Sequence, residues 1–222
     1  MDDILQRLRQ HIIDGTPELA GQAAREALSH GIEPLDAINL GCTPGMAQVG
    51  EQFGCHQMFL PDVMAASEAM KLAVSVLEPE MRKRGDHRRM LGTIVLGTVQ
   101  GDIHEIGKSL VAIMLSANGF AVHDLGVSVP TESFVAKARE FNADIVGVSA
   151  LLTTTMIFQK SVVEALDAAG LRPRIKVVVG GAPINRQWAA EIGADGYAKD
   201  AMSAVTLAKA LVQNRIEASR AT

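Results

Sequence analysis

The chain has 222 residues, 48% of them apolar and 21% charged, and carries a net charge of −4. That length allows one large domain or two small ones with a real core, in a composition ordinary for a protein folded in water. No basic patch dominates, which argues against nucleic acid as a partner, and no run approaches the roughly 18 uninterrupted apolar residues that a membrane span requires.

The opening residues Met1-Asp2-Asp3-Ile4 lack the basic segment and apolar run of a secretory signal. Cys42 and Cys55 have neither metal-site company nor a disulfide framework around them. Both observations favour a cytoplasmic protein whose thiols are ordinary small apolar residues.

The first ninety residues read as helices. Ile4, Leu5, Leu8 and Ile12 recur at helical spacing. Thr16-Pro17-Glu18 then puts a capping side chain ahead of a proline at the first helical position, and Gly31 supplies a stop. A helix over Glu33–Leu40 and a short one over Pro44–Phe53 follow. A longer one starts near Pro61 and runs through Met64, Met70, Leu72 and Val76. These short helices are expected to pack as a bundle over residues 1–84. The stretch Arg82-Lys83-Arg84-Gly85-Asp86-His87-Arg88-Arg89 is too polar to bury and contains a glycine, so residues 85–90 are expected to link two domains.

From Leu91 the pattern becomes strand, loop, helix, repeated over residues 91–222. Short apolar runs stand at Thr93–Val99, Ala121–Leu125, Ile145–Val148, Lys176–Val179 and, weakly, Gly196–Ala198. Helical patterns lie at Glu105–Ala117, Thr131–Phe141, Thr155–Ala169, Asn185–Ile192 and Ala201–Val212. Continuous apolar strands separated by helices imply a parallel sheet covered on both faces. The expected fold is α/β: a helical cap followed by a flavodoxin-like (Rossmann-type), doubly wound sheet of five parallel strands ordered 2-1-3-4-5. Such sheets bind ligands at the carboxyl ends of their strands, by the switch point beside strand one.

There the sequence reads Gly101-Asp102-Ile103-His104-Glu105-Ile106-Gly107-Lys108. Imidazole is a good ligand for transition metals, and a ligating histidine commonly donates its other ring N–H to a carboxylate, a role Asp102 is placed to fill. The glycines would let backbone and ligand approach closely. A lone Asp-x-His on a loop is also compatible with a surface pair or helix cap. A zinc site would need further ligands, for which His123 and Asp124 are the obvious candidates.

The run Asp102-x-His104-x-x-Gly107 is followed by Ser149-x-Leu151 and then by Gly180-Gly181, each at the end of a predicted strand. This ordered pattern resembles the cobalamin-binding domain of methionine synthase and of the corrinoid methyl-carrier proteins. The resemblance extends into the first half, where Met46-x-x-Val49-Gly50-Glu51-x-Phe53, Met58-Phe59-Leu60-Pro61-x-Val63 and Ala69-Met70-Lys71 look like the helical cap of that family. It covers roughly residues 30 to 215.

The resemblance implies a cobalamin (corrinoid) cofactor whose cobalt is ligated from below by His104 in place of the cofactor's own base. Asp102 would hydrogen-bond His104, and Ser149 would extend the relay toward solvent, coupling loss of the ligand to proton uptake on the His104–Asp102 pair. Gly101, Ile103, Glu105, Gly107 and Leu151 would line the cofactor. Its nucleotide tail would lie in a slot beside Gly147, Ser149, Thr153, Gly180, Gly181 and Ala182, closed by Tyr197 and Ala198. Phe53, Leu60 and Val63 would cover the upper corrin face as a lid that swings on the linker. The function implied is a carrier of methyl groups on cobalt rather than a catalyst in its own right. One partner would be a substrate-specific methyltransferase of the methylamine, methanol, methoxy-arene or betaine type. The others would be a second methyltransferase with tetrahydrofolate or a thiol as acceptor, and a reductive activator of the corrinoid. Two further readings share the domain: a cobalamin-dependent sensor, disfavoured because Trp188, the only tryptophan, lies in the α/β half, and a mutase subunit. A receiver-like module without cobalamin is the third alternative.

Overall fold

The computed structural model describes residues 2–84 and 90–220, which fall into two compact units, Met1–Arg89 and Met90–Thr222. The expected linker at 85–90 lies, apart from Met90, outside the described residues.

The first unit is helical. Helix α1 (Asp2–Ile13) buries Ile4, Leu5, Leu8, Ile12 and Ile13, the stripe that the spacing predicts. Helix α2 (Pro17–Ser29) begins with proline at its first turn, where no N–H is needed. Thr16 does not cap it: its hydroxyl and its N–H both reach back to the His11 carbonyl at the end of α1. Small residues of α2 (Ala20, Gly21, Ala23, Ala24, Ala27) let it lie close along α5 (Leu60–Arg84), which buries Ala66, Ala69, Ala73 and Leu77. Between them the chain forms α3 (Pro34–Asp36), a π-helical stretch (Ala37–Cys42) and α4 (Thr43–Gly54) without a break. The two separate helices expected here are thus joined. Pro44 cannot donate to the previous turn, and the wider π turn ahead of it carries the chain past that missing bond.

The second unit is the doubly wound sheet: β1 (Thr93–Thr98), β2 (Ala121–Asp124), β3 (Ile145–Ser149), β4 (Lys176–Gly180) and β5 (Gly196–Tyr197), all parallel, in the order β2-β1-β3-β4-β5. The helices are α6 (Ile106–Ala117), α7 (Thr131–Glu140), α8 (Ile157–Ala168), α9 (Arg186–Glu191) and α10 (Ala201–Arg220). Helix α6 packs with α10 and α7 with α8, and right-handed crossovers put the two pairs on opposite faces. Val95, Val146, Val148, Val177, Val179 and Phe134 fill the core on the α7–α8 face. The register matters for the site. Thr98 is opposite Ser149, and Ser149 opposite Gly180, so the carboxyl ends of the three central strands form one row. Among the described residues no helix is long and apolar enough to cross a membrane.

Candidate functional site

The strand order reverses between β1 and β3, and the loops leaving those two strands meet there. After β1 the chain turns at Gly101, whose φ of +79° lies in the left-handed region that favours glycine. The turn sends Asp102 inward and His104 outward: the Asp102 side chain is fully buried, and that of His104 is 46% exposed.

Asp102 is held from both sides. Its Oδ1 accepts from His104 Nδ1 at 2.7 Å and from the His104 backbone N–H at 3.1 Å. Its Oδ2 accepts from the N–H of Leu151 at 2.8 Å, the N–H of Leu152 at 3.2 Å and the Thr155 hydroxyl at 2.8 Å. Burial by itself would raise the carboxyl's pKa. The bonds from the His104 ring, the backbone N–H groups of Leu151 and His104, and Thr155 outweigh it, holding the group well below the usual carboxylate range. An ionised carboxylate only accepts, so Nδ1 carries the ring proton and Nε2 carries the lone pair. Among the described residues Nε2 has no hydrogen-bond partner.

The depressed pKa has a sign for stability. The contribution of Asp102 is complete above its unfolded value near 3.9 and is lost as pH falls toward the lower folded value. Denaturant titrations of the cofactor-free chain are therefore expected to show no Asp102-dependent loss between about pH 5 and pH 8. A difference between wild type and Asp102→Ala that fades near neutral pH would contradict this.

The surroundings of His104 are apolar and exposed. Ile103 is 74% and Ile106 73% exposed on the first loop and α6, and Leu151, Leu152 and Ile157 are exposed on the loop and helix after β3. The hydrogen bonds from Leu151 and Leu152 to Asp102 bring the two groups together. Gly107 adds a second feature: a Cβ built on it would meet nothing within 4 Å. Glycine in a helix interior costs roughly 0.5–1 kcal/mol relative to alanine, an upper bound for this first-turn position, and among the described residues no neighbour requires it here. A broad apolar surface with an unpartnered imidazole nitrogen and an unfilled Cβ position suits a large, flat, apolar cofactor carrying a metal.

The remaining expected positions are placed as follows. Ser149 ends β3 half-buried, and its hydroxyl makes no hydrogen bond to Asp102; Thr155 donates where the relay from Ser149 was expected. Thr153 is exposed, as are Glu105 and Ala182. Gly180 lies at the end of β4, where an added Cβ would stand 3.0 Å from the Ala198 carbonyl oxygen. Tyr197 is half-buried and Ala198 buried. In the helical unit Val63 is fully buried, and Phe53 and Leu60 are half-buried. The zinc alternative fails on its own candidates. Asp124 is ion-paired with Lys108, and the His123 ring stacks on Phe141 with centroids 3.7 Å apart. Trp188 belongs to α9, its indole N–H donating to Gln159 at 3.0 Å.

Three residues of this region escaped the sequence reading. Thr155 is the third of three consecutive threonines, and only the turn leading into α8 tells which one faces Asp102. Lys108, in the first turn of α6, has a buried ammonium that ties the helix to Asp124 at the end of β2. Thr98 is a fully buried hydroxyl at the end of an apolar strand, and that oddity was visible in the sequence.

A B12 binding domain model matches residues 92–206, and a second B12 binding domain model matches residues 4–78. The chain is 47% identical over 209 residues to trimethylamine corrinoid protein 1 of Methanosarcina mazei, covering 94% of this chain and 97% of the relative. It is 47% identical over 211 residues to dimethylamine corrinoid protein 2 of Methanosarcina acetivorans, covering 95% and 97%. Among solved structures, a chain of the methanol:cobalamin methyltransferase complex MtaBC from Methanosarcina barkeri superimposes with a TM-score of 0.87. That chain is 29% identical, and the match covers 96% of this chain and 80% of that one.

Proposed function

We propose, because this chain belongs to the family of B12-binding corrinoid proteins, that it holds a corrinoid at the ends of β1 and β3 and carries a methyl group between methyltransferases. When bound, the corrinoid supplies a cobalt centre able to accept and release a methyl group. The chain's own residues bind and orient it. Asp102 keeps the proton on Nδ1 of His104, which leaves Nε2 the lone pair that would hold the metal, and the same bond fixes the plane of the ring. Ile103, Ile106, Leu151, Leu152 and Ile157 would offer a bound corrinoid an apolar surface, and Gly107 would leave room beside it. Of all these, the observation that carries the reading is the exposed imidazole whose far nitrogen is unpartnered while a buried carboxylate fixes the near one.

The finer parts rest on resemblance. In this reading Gly101, Glu105, Ser149, Thr153, Gly180, Gly181, Ala182, Tyr197 and Ala198 border the cofactor and its nucleotide tail; Phe53 and Leu60 are proposed to cover its opposite face, whereas Val63, fully buried, has no surface to offer it. A substrate-specific methyltransferase loads the methyl group, with methylamines the first donors to test because the relatives are trimethylamine and dimethylamine corrinoid proteins. A second methyltransferase unloads it to a folate or thiol, and a reductive activator restores the corrinoid.

Reconstitution tests the reading. The purified chain incubated with hydroxocobalamin should retain it through gel filtration and, once an added low-potential chemical reductant has reduced the cobalt, take up a methyl group from trimethylamine or dimethylamine in the presence of the matching methyltransferase. A chain that retains no corrinoid contradicts it. Gly107→Ala offers a sharper check because its two effects have opposite signs. The cofactor-free chain should gain up to about 0.5–1 kcal/mol in denaturant titrations, while its corrinoid affinity falls. Unchanged affinity would remove Gly107 from the site.

A further inference from the structure

Thr98 is an anomaly in its strand. Within β1, Ile94 to Gly97 supply backbone and apolar packing, whereas Thr98 places a hydroxyl in fully buried surroundings at the strand's last position. A buried hydroxyl requires a partner, and this one donates to the main-chain carbonyl of His104 at 2.9 Å. The hydroxyl is rigidly mounted. The Thr98 N–H donates to the Gly126 carbonyl at 3.0 Å, and the Thr98 carbonyl accepts from Val129 N–H at 2.9 Å. The strand's end is therefore fixed by the connection that follows β2.

The consequence falls on His104. Its N–H and its ring are both tied to one oxygen of Asp102. Those two bonds alone would let the residue pivot about Asp102 with the loop. The bond from Thr98 ties the carbonyl, the other end of the same residue, and so sets the direction in which the Cα–Cβ bond leaves the main chain. Side-chain torsions then complete the aim of Nε2, with Asp102 selecting among them. Asp102 governs the tautomer and the ring plane; the main-chain position needs a separate anchor.

We infer that Thr98 is a positioning residue for the His104 ligand, acting through the His104 carbonyl; the inference rests on the corrinoid reading given above. Thr98→Val keeps the shape and suits a strand, deleting only the hydroxyl, and Thr98→Ser keeps the hydroxyl. Both are made in the full chain and read in two ways. In the cofactor-free chain, the hydrogen-bonded Nδ1 proton of His104 is followed by NMR. In the chain loaded with hydroxocobalamin, the fraction of cobalt bearing the His104 imidazole is read from the visible spectrum.

The expected result is that Thr98→Val shifts the ligation equilibrium on the order of tenfold toward the unligated form and broadens or removes the Nδ1 proton signal, while Thr98→Ser behaves as wild type. Ligation by Thr98→Val at the wild-type level overturns the inference, as does a Thr98→Ser variant equally defective, since packing would then be the cause. Should Thr98→Val not fold, the wild-type chain decides. A slowly exchanging Thr98 hydroxyl proton supports the anchor, and a rapidly exchanging one overturns it. If wild type retains no corrinoid, the carrier reading falls, and the Nδ1 signal in the cofactor-free variants still judges Thr98.

Discussion

Asp102→Asn is expected to weaken ligation of the corrinoid cobalt by His104 about 10–100-fold, the range found when the partner of a ligating histidine is altered. The reason lies in the donors around the side chain. All five hydrogen bonds received by the Asp102 carboxylate come from N–H or O–H groups. Asparagine offers one accepting oxygen and a donating amide. If the amide faces His104, Nδ1 must give up its proton and accept, the ring proton moves to Nε2, and the lone pair needed by the metal is lost. If the amide faces the other way, it confronts the N–H groups of Leu151 and Leu152. Two backbone donors are then left without acceptors, at a cost of about 1–3 kcal/mol each. The two outcomes separate experimentally: the first alters the spectrum of the loaded chain and leaves one backbone donor, the N–H of His104, without its acceptor, whereas the second leaves two and lowers the denaturation midpoint further. An Asp102→Asn chain identical to wild type in both would remove Asp102 from the account.

Gly181→Ala is expected to have the largest effect on folding. Gly181 sits at φ +127°, a conformation side chains rarely adopt, and an added Cβ would stand 1.8 Å from the Ala150 carbonyl oxygen. Neither atom can move away cheaply, because Ala150 N–H donates to the Gly180 carbonyl and locks the ends of β3 and β4 together. The destabilisation should reach about 4 kcal/mol, the exceptional range for a single substitution, lowering the melting temperature on the order of 10 °C. Calorimetry of the cofactor-free chain measures it, and a melting temperature equal to that of wild type contradicts the geometry. This prediction also bears on the tail slot. Gly147 likewise faces the side chain of Leu96, which a Cβ would approach to 2.7 Å. The Ala150 carbonyl already requires a glycine at 181, and the Leu96 side chain favours one at 147, so their small size alone does not argue for a ligand. Gly107, which no neighbour among the described residues requires, does.

Much of the α/β unit was legible because its signals are local. Unbroken apolar strands such as Thr93–Thr98 and Lys176–Gly180 alternate with helical runs, and that alternation prescribes a parallel sheet, while the order 2-1-3-4-5 followed from its likeness to flavodoxin-like sheets. The helical unit was less legible at its joints. Thr16 has the chemistry of a cap but bonds back to His11, and a proline that looked like the start of a new helix follows a π turn in a continuous one. In the site, Asp102 and His104 are two residues apart, and their pairing follows from the loop alone. The hydroxyl donating to Asp102 is 53 residues away in sequence. Which of Ser149, Thr153 and Thr155 supplies it depends on how the chain turns into α8, and three adjacent threonines look alike to any pattern. Lys108 and Asp124 were legible as charges but not as a pair, because only the packing of α6 beside β2 brings them together.

The claim on which all of this turns is a bond between Nε2 of His104 and the metal of a bound corrinoid. It is tested most directly by electron paramagnetic resonance of the loaded chain in its paramagnetic cobalt state, prepared once with ordinary histidine and once with 15N-labelled imidazole. The account predicts nitrogen hyperfine structure that changes with the isotope in wild type and disappears in His104→Ala. A pattern indifferent to the label, or one that survives the loss of His104, would contradict it.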